Sequence, residues 1–297
     1  MSGKFCNPWT HGEGGLPYYA ELGKKIRDVF GAYAVGLFNM NVSGVMTDYG
    51  IKFSDGLHAN KETGDVFGVI ETKFASEQKN IIFGQKWTSN NDLSGEFLLI
   101  DFCQGALAKL VGTFNTKNNK KSLLIGTDYR NNRIALNLAA EFKDKSPIVK
   151  GAIAGGYENF GLGYFTHFES KDSKFVTHDF RVSYDAEKFT LLGALENEFK
   201  VISAAIQGRL VDNVDGALEV KHSKGGDNDG VLVTVGVKYT HNEDCVLRGK
   251  VDSKAMLGLS LTQTINDTTA ISLCAMIEGQ NISKGKHQLG FGLNVHF

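Results

Sequence analysis

The chain has 297 residues, a formal net charge of −1, thirty-five glycines, three prolines and four cysteines. A charge so near zero gives no reason to expect nucleic-acid binding, and so few prolines leave long stretches free to pair as continuous sheet. Cys6, Cys103, Cys245 and Cys274 fit no metal-ligand spacing, so free thiols are expected, with no metal and no cofactor.

Taken in chain order, the N-terminus lacks a basic region followed by an apolar one, so no secretory signal is expected. The sequons at Asn41, Asn266 and Asn281 are then expected to remain unmodified. Residues 1–16, with Cys6, Trp9, Gly12, Gly14 and Gly15, read as a flexible extension. From 17 to 31 the spacing predicts one amphipathic helix. Pro17 can open it and Gly31 can end it. Tyr19, Leu22, Ile26, Val29 and Phe30 fall on one side, Glu21, Lys24, Lys25 and Asp28 on the other, with Arg27 at the border.

The uncharged run Val29–Thr47 is the best candidate for a transmembrane helix. It is interrupted by Gly31, Gly36, Asn39, Asn41, Ser43 and Gly44, and its later part alternates. That composition suits the end of a helix followed by a first strand. From residue 34 to residue 297 the dominant signal is period two, the mark of strands with one apolar and one polar face. Val231, Val233, Val235, Val237 and Tyr239 oppose Thr234, Gly236, Lys238 and Thr240, and Leu257, Leu259 and Leu261 oppose Gly258, Ser260 and Thr262. The last strand is the cleanest. Leu289, Phe291, Leu293 and Val295 lie on one face; Gln288, Gly290, Asn294 and His296 lie on the other. Short polar turns such as 115–121, 223–230 and 266–268 separate the runs.

The repeat of roughly 13 to 14 residues fits a membrane strand of about ten residues plus a turn, with room for about nineteen strands after Leu37. A chain with no spanning helix crosses a bilayer only as a closed barrel, because every backbone polar group must be paired internally. The expected fold is therefore all-β: a transmembrane β-barrel of about 19 strands, its N-terminal amphipathic helix inside the pore. Its last strand is expected to run parallel to the first, near residues 37–43.

No catalytic constellation emerges. His178 and Asp179 are neighbours on a strand and point to opposite faces. The run Gly225–Gly230 lacks the twelfth-position glutamate of a calcium loop and any Gly-Lys-Ser/Thr, so it reads as a hairpin turn. Single lumen-facing charges such as Lys238 and Arg248 read as solvated, their summed charge acting on selectivity.

The segment Tyr19-Ala20-Glu21-Leu22-Gly23-Lys24-Lys25-Ile26-Arg27-Asp28-Val29-Phe30 resembles the N-terminal helix of voltage-dependent anion channels, the eukaryotic mitochondrial porins. Three further stretches are similar to that family. These are Gly156-Tyr157-Glu158 with Gly163-Tyr164, then Lys250-Val251-Asp252 through Leu261-Thr262-Gln263-Thr264, and finally His287 through Leu293. The resemblance runs from about Pro17 to the end. It implies a nineteen-stranded barrel, a count already known for the mitochondrial voltage-dependent anion channel. It further implies a place in the mitochondrial outer membrane and passage of metabolites and ions. Gln85-Lys86-Trp87 stands where many members carry a glutamate before Lys-Trp, which bears on family roles tied to that carboxylate, such as kinase docking. Lys109-Leu110-Val111-Gly112 replaces a Gly-Leu-Lys triplet, Ala32 a lysine, and the glycine hinge is thinned to Gly31 and Gly36.

The expected function is a voltage-gated, weakly anion-selective pore. Lys24, Lys25 and Arg27 would attract nucleotides and small anionic metabolites, while Glu21 and Asp28 oppose them. Leu22, Ile26, Val29 and Phe30 would rest on the wall. Membrane lipid is the expected surroundings, with a homo-oligomer or other outer-membrane proteins as partners. Gln288, Gly290, Leu293 and Val295 resemble the polar–x–Gly–x–x–apolar–x–apolar signal that hands mitochondrial barrels to their assembly machinery. The alternatives are the protein-translocating pore of the outer-membrane import complex and a soluble β-rich binding protein.

Overall fold

The computed structural model describes residues 15–31, 33, 37–46, 50–60, 64–76, 80–143, 146–171, 173–225, 229–282 and 287–297. Residues 1–14 of the expected extension and the expected hinge residue Gly36 lie outside the described residues.

A 3-10 turn at Tyr19–Glu21 precedes helix α1, Lys24–Phe30. The strands then follow as β1 Leu37–Met46, β2 Ile51–Asn60, β3 Val66–Ser76, β4 Ile81–Thr88, β5 Asp92–Ile100 and β6 Ala106–Asn115. Next come β7 Lys121–Arg130, β8 Ile134–Lys143, β9 Ser146–Tyr157, β10 Phe160–Glu169, β11 Lys174–Asp185, β12 Phe189–Glu196 and β13 Val201–Val211. The chain ends with β14 Val214–Ser223, β15 Gly230–Asn242, β16 Cys245–Asp252, β17 Met256–Asn266, β18 Thr269–Glu278 and β19 Gln288–His296.

These nineteen strands form one sheet in which each strand neighbours the next in sequence, and β1 pairs with β19. The sheet therefore closes on itself as a β-barrel. With an odd number of strands the closing pair must be parallel, and β1 and β19 are, from Phe38 opposite Phe291 to Ser43 opposite His296. Closure leaves no unpaired edge, the condition for sheet in lipid. Tight connections are made with left-handed residues that tolerate that conformation, among them Asn91, Asn119 and Asn213.

The chain divides into two compact units. One reaches to Glu21 and takes in Gly44–Asp55 and Val69–Phe180; the other comprises Leu22–Ser43, Gly56–Gly68 and Arg181–Phe297. In the first, Phe83, Phe97, Leu110 and Ile125 lie side by side across β4 to β7 on one face, all exposed. Trp87 continues that face and is 60% exposed. In the second, Leu247, Leu259, Leu273 and Leu289 are exposed on the corresponding face, Leu289 at 74%. The opposite face there carries Arg248, Ser260, Cys274 and Gly290. Along these runs period two sorts apolar side chains to the outside and, in β16–β19, polar or small ones to the inside.

The segment expected as one helix over 17–31 is divided. Gly23 adopts φ 72°, a left-handed conformation that separates the 3-10 turn from α1. A side chain is disfavoured there on two counts. L-residues are strained at that φ, and a Cβ would come within 2.6 Å of Leu192 Cδ2.

Candidate functional site

Helix α1 has seven residues and no side-chain N-cap, too short to persist alone in water. It is held by packing. Leu22, Ile26 and Val29 recur at helical spacing and are 1%, 2% and 1% exposed. This face lies against the inner side of β13 to β16. Gly236 makes the close approach possible, since a Cβ there would meet the Phe30 ring at 2.8 Å and Val29 at 3.4 Å. Gly31 ends the helix, and a Cβ on it would crowd the Arg27 carbonyl at 2.7 Å.

The polar face is fixed by strand cations. Asp28 forms ion pairs with Lys238 on β15 and, at 3.1 Å, with Arg248 on β16. Arg248 Nε also donates to the Asp28 carbonyl at 3.0 Å. Burial works to raise the Asp28 pKa, but hydrogen bonds and charge from Lys238 and then Arg248 outweigh it and hold the carboxyl below its usual range. Lys250 Nζ lies 3.5 Å from the Phe30 carbonyl and 4.3 Å from the Tyr33 ring centre. Burial raises the Tyr33 hydroxyl to about 12, with Arg248 opposing.

Lys24, Lys25, Arg27 and Asp28 are all exposed. Lys25 approaches Asp185 at 3.5 Å, and Arg27 Nη1 donates to the Leu22 carbonyl at 2.6 Å. The reading of Lys238 and Arg248 as merely solvated is corrected. Their side chains are largely buried against Asp28, because the inner helix supplies a carboxylate that desolvated cations require.

In the first unit, Glu21 pairs with Arg130 at the end of β7 and accepts a hydrogen bond from the Tyr18 amide at 2.9 Å. The Arg130 guanidinium stacks 3.9 Å over the Tyr18 ring, and Tyr19 stacks on Phe165 of β10. On β19, Gln288 and Gly290 lie on the inner face, while Leu293 and Val295 lie on the outer face beside Met40 and Val42. Arg130 and Asp185 were not singled out from sequence as site residues, and Lys250 only as part of a family-like stretch. Their partners on the N-terminal segment are more than a hundred residues away, beyond any local signal.

A closed sheet with an apolar exterior and a charged, helix-bearing interior defines a membrane-embedded β-barrel pore. Comparison carries this to a family. The model described as eukaryotic porin matches residues 15–290, and the chain belongs to that family.

Among its relatives, the "voltage-dependent anion-selective channel" of Drosophila melanogaster is 28% identical over 94% of this chain and 98% of its own length. The "non-selective voltage-gated ion channel VDAC1" of Ovis aries is 29% identical over 93% and 97%. The corresponding VDAC2 of Xenopus laevis is 28% identical over 94% and 98%. Of solved structures, a mutant of the Rh. blastica porin overlays with TM-score 0.50 at 10% identity, covering 83% of this chain and 96% of that one, a likeness of fold alone. Family membership places the chain among pores of lipid membranes that pass small molecules, a class that is in general not enzymatic.

Proposed function

We propose that the protein is a voltage-gated, weakly anion-selective pore of the mitochondrial outer membrane, passing nucleotides, other small anionic metabolites and ions. The observation that carries this reading is the division of charge on the N-terminal segment. Glu21 and Asp28 are each engaged by strand cations, Arg130 for the first and Lys238 with Arg248 for the second. Lys24, Lys25 and Arg27 meanwhile stand exposed, Lys25 also approaching Asp185 at 3.5 Å. Their field reaches a permeant within about 8 Å, one Debye length at physiological salt. An anion would gain from that field and a cation would be repelled, the ordinary basis of selectivity in wide pores.

Support for voltage dependence and for the mitochondrial setting comes from the relatives' names and from the sequence resemblance. In the same reading Gly31 and Gly36 act as hinge, and Gln288, Gly290, Leu293 and Val295 act as assembly signal. A homo-oligomer or other outer-membrane proteins are the expected partners.

The test is replacement of Lys24, Lys25 and Arg27 by glutamate, with the reversal potential measured across a salt gradient. The reading expects a shift toward cations that shrinks at high salt. An unchanged potential would mean that these charges do not face the permeant path.

A further inference from the structure

The outer wall of the second unit carries a cavity of about 1020 Å3. A barrel wall is convex on its outer side, so a cavity there needs a depression in the wall and something standing beside it. Both are present. The floor is made by Phe38, Phe291, Leu273, Leu261, Leu247 and Tyr239. The register makes these six one continuous row across β1, β19, β18, β17, β16 and β15, each opposite the next. In the neighbouring row the small residues Ala275 and Gly249 flank Leu259 and lower the floor between larger side chains. The row lies on the face away from α1, since Val29 and Phe30 approach Gly236 on the other side of β15.

The second wall comes from Ala59 near the end of β2 and from Gly64, Asp65 and Val66 around the start of β3. Gly64, Asp65 and Val66 are all exposed. The cavity is thus a trough between the leucine face and these residues, with one carboxylate on its wall.

The trough has a direction. Phe38 is the second residue of β1 and Phe291 the fourth of β19, whereas Leu273 is sixth from the end of β18 and Tyr239 tenth in β15. Because β1 runs parallel to β19 and the other pairs alternate, all these positions count from one rim. Strand β2 pairs with β1 after a short connection, which requires an antiparallel pair, so Ala59 and Asp65 stand at that same rim. The row therefore starts beside Asp65 and sinks along the wall. Five strand spacings of ~4.8 Å give roughly 24 Å. With strands tilted about 35–45°, a row at right angles to them descends roughly 15 Å, one leaflet of a ~30 Å hydrocarbon core.

An apolar trough one leaflet deep with a carboxylate at its upper end matches an amphipathic lipid. A carboxylate at the edge of hydrocarbon is costly without a cation. A primary ammonium supplies one and donates a charge-assisted hydrogen bond, whereas a quaternary ammonium has no N–H to donate. The convex wall of a second barrel would not enter a trough of this shape.

We propose that this trough is a specific lipid site. One phospholipid whose headgroup ends in a primary ammonium lays an acyl chain along the row from Phe38 to Tyr239 and sets its ammonium on Asp65. The site rests on the lipid-facing outer wall alone and is independent of the anion-selectivity reading, since no inner charge takes part.

The test uses the full-length protein in nanodiscs of phosphatidylcholine with a minority of phosphatidylethanolamine. Native mass spectrometry should find the monomer retaining one phosphatidylethanolamine, enriched about three-fold over its share of the bilayer, as an exposed ion pair allows. Asp65→Asn should remove the enrichment. Gly249→Leu should remove the retained lipid by filling the floor; a Cβ at Gly249 meets only Leu259 Cδ2, at 3.8 Å, so the residue itself is accommodated. Retention in proportion to bilayer composition, enrichment that survives either variant, or a dimer in place of the lipid-bound monomer would overturn the proposal.

A second measurement reads the trough directly. Trp9→Phe and Trp87→Phe remove both native tryptophans, and Leu261→Trp places one in the row. Chain-brominated phosphatidylethanolamine should quench it more strongly than chain-brominated phosphatidylcholine at equal mole fraction. Both should quench equally at the control Ile125→Trp, on the exposed outer face of β7. Equal quenching at position 261 would contradict the proposal.

Discussion

Asp28 on the inner helix and Lys238 on β15, separated by 210 residues in sequence, form a direct ion pair that Arg248 completes from the neighbouring strand. The arrangement ties helix to wall by charge on one side, while Leu22, Ile26 and Val29 tie it by burial on the other. Removing the carboxylate with Asp28→Asn would leave two lumen cations without their counter-charge. Anion preference should rise, seen as a reversal potential displaced further to the anion side. The loss of helix attachment should be small, about 0.2–1 kcal/mol, because Asp28 is half exposed and such pairs are screened.

The same pair gives a pH dependence whose sign is fixed. The Asp28 carboxyl titrates below its ordinary value of 3.8 in the folded chain. Its contribution is therefore fully present above that ordinary value and is lost as pH falls through the lower native one. A spin label at Lys24→Cys in a background without other cysteines should show unchanged mobility from pH 7 to 5 and increased mobility below the carboxylate range. Loosening already between pH 7 and 5 would point to another titrating group.

Gly23 is constrained both by its positive φ and by Leu192. Gly23→Ala should cost about 1–2 kcal/mol from the left-handed backbone alone, with more from displacing the leucine. The expected result is a lower melting temperature in detergent and noisier open-channel current. A variant as stable and as quiet as the parent would show that the break between turn and helix moves freely.

The parallel seam is laced on its inner side. Asn41 Nδ2 donates to Asn294 Oδ1 at 2.9 Å, and Ser43 and His296 share a hydrogen bond at 3.1 Å. On the outer side Phe38 and Phe291 stack with ring centres 5.4 Å apart. Asn294→Val should lower stability by about 0.5–1.5 kcal/mol, the net worth of one such bond, without changing strand pairing. Thermal unfolding checks the first part. A water-soluble thiol reagent applied to Leu293→Cys and Asn294→Cys in turn checks the facing, with position 294 expected to react and position 293 to be protected by lipid.

The barrel was legible because its wall repeats one rule. Leu289, Phe291, Leu293 and Val295 against Gly290, Gly292 and Asn294 announce a strand without any knowledge of neighbours, and about nineteen such strands fill the chain after Leu37. The helical spacing of Leu22, Ile26 and Val29 gave the inner helix in the same way, and the family resemblance matched it. What sequence hid was long-range or local-conformational. The pairing of Asp28 with Lys238 and Arg248 has no period to betray it, and the left-handed Gly23 sits inside a helical-looking spacing.

The buried cluster of Ala75, Ile82 and Ile100 did leave a trace. Ile81-Ile82-Phe83 and Phe97-Leu98-Leu99-Ile100 are unbroken apolar runs, which means both faces of the strand are apolar where alternation would have made one polar. Such a run is easily passed over as a stronger strand signal, although it marks a strand end that is apolar on both faces.

The central claim is that this closed sheet encloses an open, mildly anion-preferring path. Planar-bilayer recording of the purified, unmodified protein under a tenfold potassium chloride gradient tests it most directly. The account predicts discrete conductance steps, closure at raised voltage of either sign, and a reversal potential modestly on the chloride side that moves toward zero as both salt concentrations are raised. A protein that inserts without conducting, or that reverses on the potassium side, would contradict it.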